Sequence, residues 1–156
     1  MITYRKAVAA DVPTVHAMLQ ALSDHDGGDY AVGSVESLLQ HGFGARPLFQ
    51  AVIAEKNDVP IGMAIFYPDF STHRGQPGVY VQDIYVDDTA RGAGVGRGLL
   101  KFMLQAQDWN ADYITLGVSP DNPHANGFYN RLGFSARGYQ MMIMAGTELQ
   151  ALQSHP

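Results

Sequence analysis

The chain has 156 residues, 46% of them apolar, no cysteine and a formal net charge of −5. This length suits a single domain, residues 1–156, with room for a sizeable core. The lack of cysteine excludes a disulfide framework and a thiol nucleophile, and the acidic balance argues against nucleic acid as main partner. No apolar run is long enough to cross a membrane, and the opening Met1–Lys6 segment lacks a signal-peptide core. A cytoplasmic protein without a membrane partner is therefore expected.

In chain order, Ile2 to Val8 reads as a strand. Asp11 is a candidate N-cap for a helix whose stripe is Val12, Val15, Leu19 and Leu22. Ser23 to Gly33 is polar and rich in glycine, hence a loop. Ser34 can cap a short helix through Leu38 and Leu39 that ends at Gly42 or Gly44. Leu48 to Glu55 and Ile61 to Tyr67 form a hairpin about Asn57 and Asp58. A long loop, Pro68 to Pro77, leads into a central strand, Val79 to Val86. The next helix buries Val95, Leu99, Phe102, Met103 and Ala106, which share one face. Asp112 to Ser119 is a strand, Asn122 to Leu132 a helix, and Phe134 to Met144 a final strand pair. The last dozen residues form a short helix or fray. Met141, Met142 and Met144 read as core or interface packing.

The turn between central strand and helix is Arg91-Gly92-Ala93-Gly94-Val95-Gly96-Arg97. Strand, glycine turn and helix together suit phosphate: glycines let backbone N–H groups approach an anion, and the helix start adds unpaired donors and a positive dipole end. No Lys-Ser or Lys-Thr pair follows, which excludes a Walker A loop, and Arg97 or Leu99 stands where a dinucleotide fingerprint needs its third glycine. A glycine turn without a ligand is the plainer reading. The pattern that fits is R-x-x-G-x-G, as Arg91, Gly94 and Gly96. Further on, Asn122, Ala125, Phe128, Tyr129, Gly133 and Phe134 fit N-x-x-A-x-x-F-Y-x-x-x-G-F. The plainer reading of Phe128 and Tyr129 is a core aromatic pair.

These two segments, in this order, resemble the signatures of the GCN5-related N-acetyltransferases. Leu38 to Phe49 and Tyr67 to Tyr80 resemble the diamine and polyamine subgroup, and the likeness weakens after Phe134. The resemblance implies an α/β fold: a mixed central sheet of about six to seven strands flanked by helices, whose splayed central strands form the acetyl-CoA cleft. It implies acetyl transfer from acetyl-CoA to a small cationic amine in a ternary complex, without metal, by a homodimer. It assigns the pyrophosphate to Arg91, Gly92, Ala93, Gly94, Val95, Gly96 and Arg97. The pantetheine arm falls to an open edge at Ile84, Tyr85 and Val86, left where the central strand splays at a β-bulge. Tyr129 is the implied general acid for the leaving thiolate, its reference pKa being about 10. Asn122 and Asn126 are candidates for contacts to the arm, with helix capping the alternative for Asn122.

The amine must also lose a proton. Where the subgroup usually carries an acidic pair, this chain has Gln82 and Asp83, and glutamine is no base. Strand alternation turns Asp83 away from Gln82, so it need not inherit its neighbour's role; Asp83 is a candidate base, a water relay to Asp83, Tyr80 or a backbone carbonyl is another route, and a structural carboxylate is the alternative. Asp24, Asp26 and Asp29 border the acceptor region and, with Gln82, are candidate substrate residues; a solvated acidic loop is the alternative. The six histidines show no metal-ligand spacing. The competing functions are an aminoglycoside or protein N-terminal acetyltransferase and a non-catalytic acyl-CoA-binding sensor.

Overall fold

The computed structural model describes residues 1–28 and 31–156. The described residues fall into two compact units, Met1–Leu116 and Gly117–Pro156. The first holds a five-stranded sheet in the order β1 (Ile2–Lys6), β2 (Gln50–Lys56), β3 (Val59–Ser71), β4 (Gln76–Val86) and β5 (Ile114–Leu116). The first four strands are antiparallel and β5 joins β4 in parallel. Three helices accompany them: α1 (Val12–His25), α2 (Val35–Phe43) and α3 (Val95–Ala106).

The sheet is covered on two faces because its inner strands are apolar at nearly every position, which two-sided burial requires. Met63 and Ile65 of β3 and Ala51 and Ile53 of β2 pack with Val15 and Met18 of α1. The alternate residues belong to the other face. Gly62 lies under α3 so closely that a Cβ there would sit 2.8 Å from the Tyr85 carbonyl oxygen and 3.4 Å from Val95 and Leu99 side chains. Gly98 answers from the helix, where a Cβ would run into the Tyr4 hydroxyl. Val95, Leu99, Leu100 and Met103 are all buried. This contact fixes where α3 starts relative to the end of β4.

Some sequence expectations change. Residues 68–77 are no long loop: β3 and β4 extend into them, with register pairs from Pro68↔Val79 to Ser71↔Gln76. The proline is tolerated because the β2 pairing ends at Gln50↔Phe66, so at Pro68 β3 has β4 on one side and an edge on the other. Asp11 holds the N-cap position of α1 but makes no side-chain cap. Its carboxylate accepts from Val8 N at 2.7 Å and from Arg5 at 2.8 and 2.9 Å, and that cationic partner holds it below its ordinary pKa. Ser34 does cap α2, accepting from Ser37 N at 3.1 Å.

The second unit contains α4 (Pro123–Leu132) and α5 (Gly146–Ser154) and no strand among its described residues. The sheet thus has five strands rather than six to seven, and residues 134–144 form no strand pair. An apolar run becomes a strand only where a neighbour completes its hydrogen bonds. Met141, Met142 and Ile143 are instead exposed, at 77%, 86% and 92%, so they are not core. No helix among the described residues is long and apolar enough to cross a membrane.

Candidate active site

After β4, Asp87 turns the chain by accepting from Thr89 N at 2.9 Å and Thr89 Oγ1 at 2.6 Å, and a short 3-10 turn, Asp88–Ala90, follows. Gly92 and Gly94 then adopt φ of +80° and +76°. A Cβ at either would meet nothing within 4 Å, so it is the left-handed backbone, and not crowding, that calls for glycine. Gly94 is the N-cap of α3, and the first intrahelical bond is Gly98 N to Gly94 O at 3.0 Å. The N–H groups of Gly92, Gly94, Val95, Gly96 and Arg97 donate to no acceptor among the described residues. Several donors converging at a helix start, with no Cβ on the glycines, suit a diphosphate. Arg91 adds a cation whose Nη2 lies 3.0 Å from Asp88 Oδ1, and its Nε donates to Val86 O at 3.3 Å.

The second feature is the edge of β4. Its pairing with β5 stops at Val81↔Leu116, while its pairing with β3 continues to Gly62↔Val86. Asp87 N donates to Ile61 O at 2.8 Å. In an antiparallel ladder hydrogen-bonded pairs alternate with non-bonded ones, so Val86 and Ile84 turn their N–H and C=O away from β3. Tyr85, between them, turns its own toward β3. Of the three expected backbone positions, Ile84 and Val86 alone face the edge that no strand pairs among the described residues, where the Val86 carbonyl accepts from Arg91 Nε. A peptide-like arm can add there as a strand does.

The third feature is a bulge. Ile65 pairs with Asp83 and Phe66 with Val81, so Gln82 is the extra residue on β4. Alternation fails here. Gln82 and Asp83 both line one cleft of about 390 Å³, together with Leu19, Leu22, Ser23 and Asp26 of the α1 end and Val32. The expectation that Asp83 turns away from Gln82 is corrected by that inserted residue. Burial, and secondly the negative charge of Asp26, push the Asp83 carboxyl above its ordinary pKa. A carboxylate so destabilised is a better proton acceptor than a free one. Asp24 lies outside the cleft lining and accepts from Gln20 Nε2 at 3.0 Å on an exposed surface. Asp29 lies outside the described residues.

Tyr67 was not singled out by the sequence. It faces Tyr80 across the β3–β4 register, the rings stack with centroids 5.0 Å apart, and its hydroxyl donates to Gln82 Oε1 at 3.1 Å. Two tyrosines placed symmetrically about a hairpin were the available signal, but a hairpin extending past Tyr67 was needed to read it.

In the second unit, Asn122 Oδ1 caps α4 by accepting from Ala125 N at 3.1 Å. Asn126 Nδ2 donates to Ser119 O and Asn122 O, both at 2.8 Å. These amides brace the turn into α4. Tyr129 packs edge-on against Phe128 and Phe134, with centroids 5.2 and 5.4 Å away.

Residues 15–134 match the family model described as the acetyltransferase (GNAT) family. The thialysine N-epsilon-acetyltransferase of Bos taurus is 28% identical, over 97% of this chain and 96% of that one. The human spermidine/spermine N(1)-acetyltransferase-like protein 1 is 31% identical over 65% of this chain and 16% of its own length. Among solved structures, an integron cassette protein from the mobile metagenome of V. cholerae has a TM-score of 0.79 at 22% identity, covering 99% of this chain and 98% of that one, a likeness of fold.

Proposed function

The chain belongs to the acetyltransferase (GNAT) family, and from that premise we propose that this N-acetyltransferase moves acetyl from acetyl-CoA to a primary amine of a small cationic substrate: a polyamine, diamine or diamino acid. The carrying observation is the bulge at Gln82, which puts Asp83 and Asp26 into one cleft beside an unpaired β4 edge. The open N–H groups from Gly92 to Arg97 fit a pyrophosphate, and the Ile84 and Val86 edge fits the amides of a pantetheine arm. When bound, acetyl-CoA supplies an acyl group whose transfer releases a thiolate.

The residues of the chain then do three things. Asp26 holds an ammonium group of the acceptor by charge. Asp83 takes a proton from the attacking amine, directly or through one water, since an alkylammonium has no lone pair. The Tyr129 hydroxyl gives its proton to the departing sulfur, since a phenol is an acid of the strength that suits a leaving thiolate. Attack is direct, in a ternary complex; the lack of cysteine removes a thiol as acetyl carrier.

Residues 1–156 act as one catalytic domain in the cytoplasm, and the protein works as a homodimer. The exposed Met141, Met142 and Ile143 support that last reading, since a contiguous apolar run marks an association surface. A thiol-release assay with acetyl-CoA and a panel of spermidine, putrescine, lysine, thialysine, an aminoglycoside and a peptide N-terminus tests the proposal. With no cysteine present, a thiol reagent sees only released coenzyme A. Turnover of a diamine that falls sharply in Tyr129→Phe is expected. Tight acetyl-CoA binding with no turnover of any amine would replace the enzyme by a sensor.

A further inference from the structure

Gln82 stands in the acceptor cleft with two carboxylates, yet its own chemistry is opposite to theirs. A primary amide offers one oxygen acceptor and two N–H donors. Here the oxygen is already engaged, since Tyr67 donates its hydroxyl to Gln82 Oε1 at 3.1 Å. The stack on Tyr80, with centroids 5.0 Å apart, holds that phenol in place. A phenol is protonated at neutral pH, and burial with the neighbouring Tyr80, Asp69 and Asp83 raises the Tyr67 hydroxyl further above its usual pKa. The charges of Asp26 and Asp83 also favour an amide turned with its NH₂ toward the cleft. That nitrogen has no acceptor among the described residues.

We propose that Gln82 is a specificity-determining hydrogen-bond donor, held in that sense by Tyr67, and that the acceptor carries a carbonyl or carboxylate oxygen beside its ammonium groups instead of being an all-amine chain. An ammonium has donors only and finds no partner in the Gln82 NH₂. Asp26 and Asp83 satisfy the ammonium side, and the Gln82 NH₂ is left for an oxygen. The inference rests on the acetyl-acceptor reading of this cleft and narrows its substrate class.

The test is calorimetric binding of cadaverine, lysinamide and lysine to the protein saturated with coenzyme A. Lysinamide is cadaverine with one added carboxamide, and titration at about pH 6 keeps both ammonium groups charged in each, so the pair differs by the carboxamide and not by charge. Lysinamide should bind about two- to tenfold tighter than cadaverine, the range one neutral hydrogen bond supplies. Gln82→Glu, which puts an acceptor in place of the donor, should abolish or reverse the preference. Tyr67→Phe, which frees the amide to turn, should reduce it. Lysinamide binding tighter than lysine assigns a neutral carbonyl, and the reverse order a carboxylate. Cadaverine binding as tightly as both, or a preference that Gln82→Glu leaves unchanged, overturns the inference. Because binding is read without turnover, an intact preference with no coenzyme A release would instead count against the proposed reaction and leave this inference standing.

Discussion

Replacing Gly94 with alanine separates what the turn costs the fold from what it gives the ligand. Gly94 has φ of +76°, and a Cβ there would meet nothing within 4 Å. The penalty is therefore purely that of a left-handed L-residue, about 1–2 kcal/mol. Alanine also narrows the unfolded ensemble, which offsets about 0.4–1 kcal/mol. The net loss is about 0.5–1 kcal/mol, or a fall in Tm of roughly 1–4 °C for a chain of this size. Gly94→Asn, whose residue tolerates this region better, should lose less. Affinity behaves differently. A side chain among the donors from Gly92 to Arg97 obstructs phosphate approach, and one lost hydrogen bond to a charged group weakens binding roughly tenfold or more. Thermal melts give the first quantity, and calorimetric titration with coenzyme A and with pantetheine gives the second. Both variants should lose affinity for coenzyme A and keep it for pantetheine, which lacks the pyrophosphate. An unchanged coenzyme A affinity beside the expected drop in Tm would refute the assignment of the turn to phosphate.

Asp83→Asn should stabilise the protein at neutral pH. The folded pKa of Asp83 is raised by burial and by Asp26, so its ionisation opposes folding; the gain should vanish below the unfolded value of about 3.9 and grow as pH rises through the folded one. Melts across that range check the sign, and the same variant should lose most of its turnover. Asp26→Lys should raise KM for a diamine far more than for a monoamine, whereas equal effects would remove Asp26 from ammonium recognition. Leu99→Ala, at a fully buried position under Gly62, should cost about 2–5 kcal/mol, measurable by urea denaturation with little change in m-value.

The parts legible in the sequence were those set by local rules. Helix periodicity exposed α1 and α3, and the serine cap placed α2. Glycines at two left-handed positions marked the turn before α3, and the aromatic pair with its asparagines marked α4. What escaped were features set by partners. The bulge at Gln82 exists only as a register between β3 and β4, and without it alternation sends Asp83 to the wrong face. Tyr67 matters because it meets Gln82 fifteen positions away across a hairpin. The strand pair expected in residues 134–144 failed for a similar reason, since β-propensity without a neighbouring strand does not make a sheet.

The most direct measurement is initial velocity with acetyl-CoA and a diamine varied together, read by coenzyme A release and by mass spectrometry of the amine. The account predicts intersecting double-reciprocal lines and one N-acetylated amine per coenzyme A released. Parallel lines with an acetylated enzyme, or coenzyme A release without an acetylated amine, would contradict direct transfer at this site.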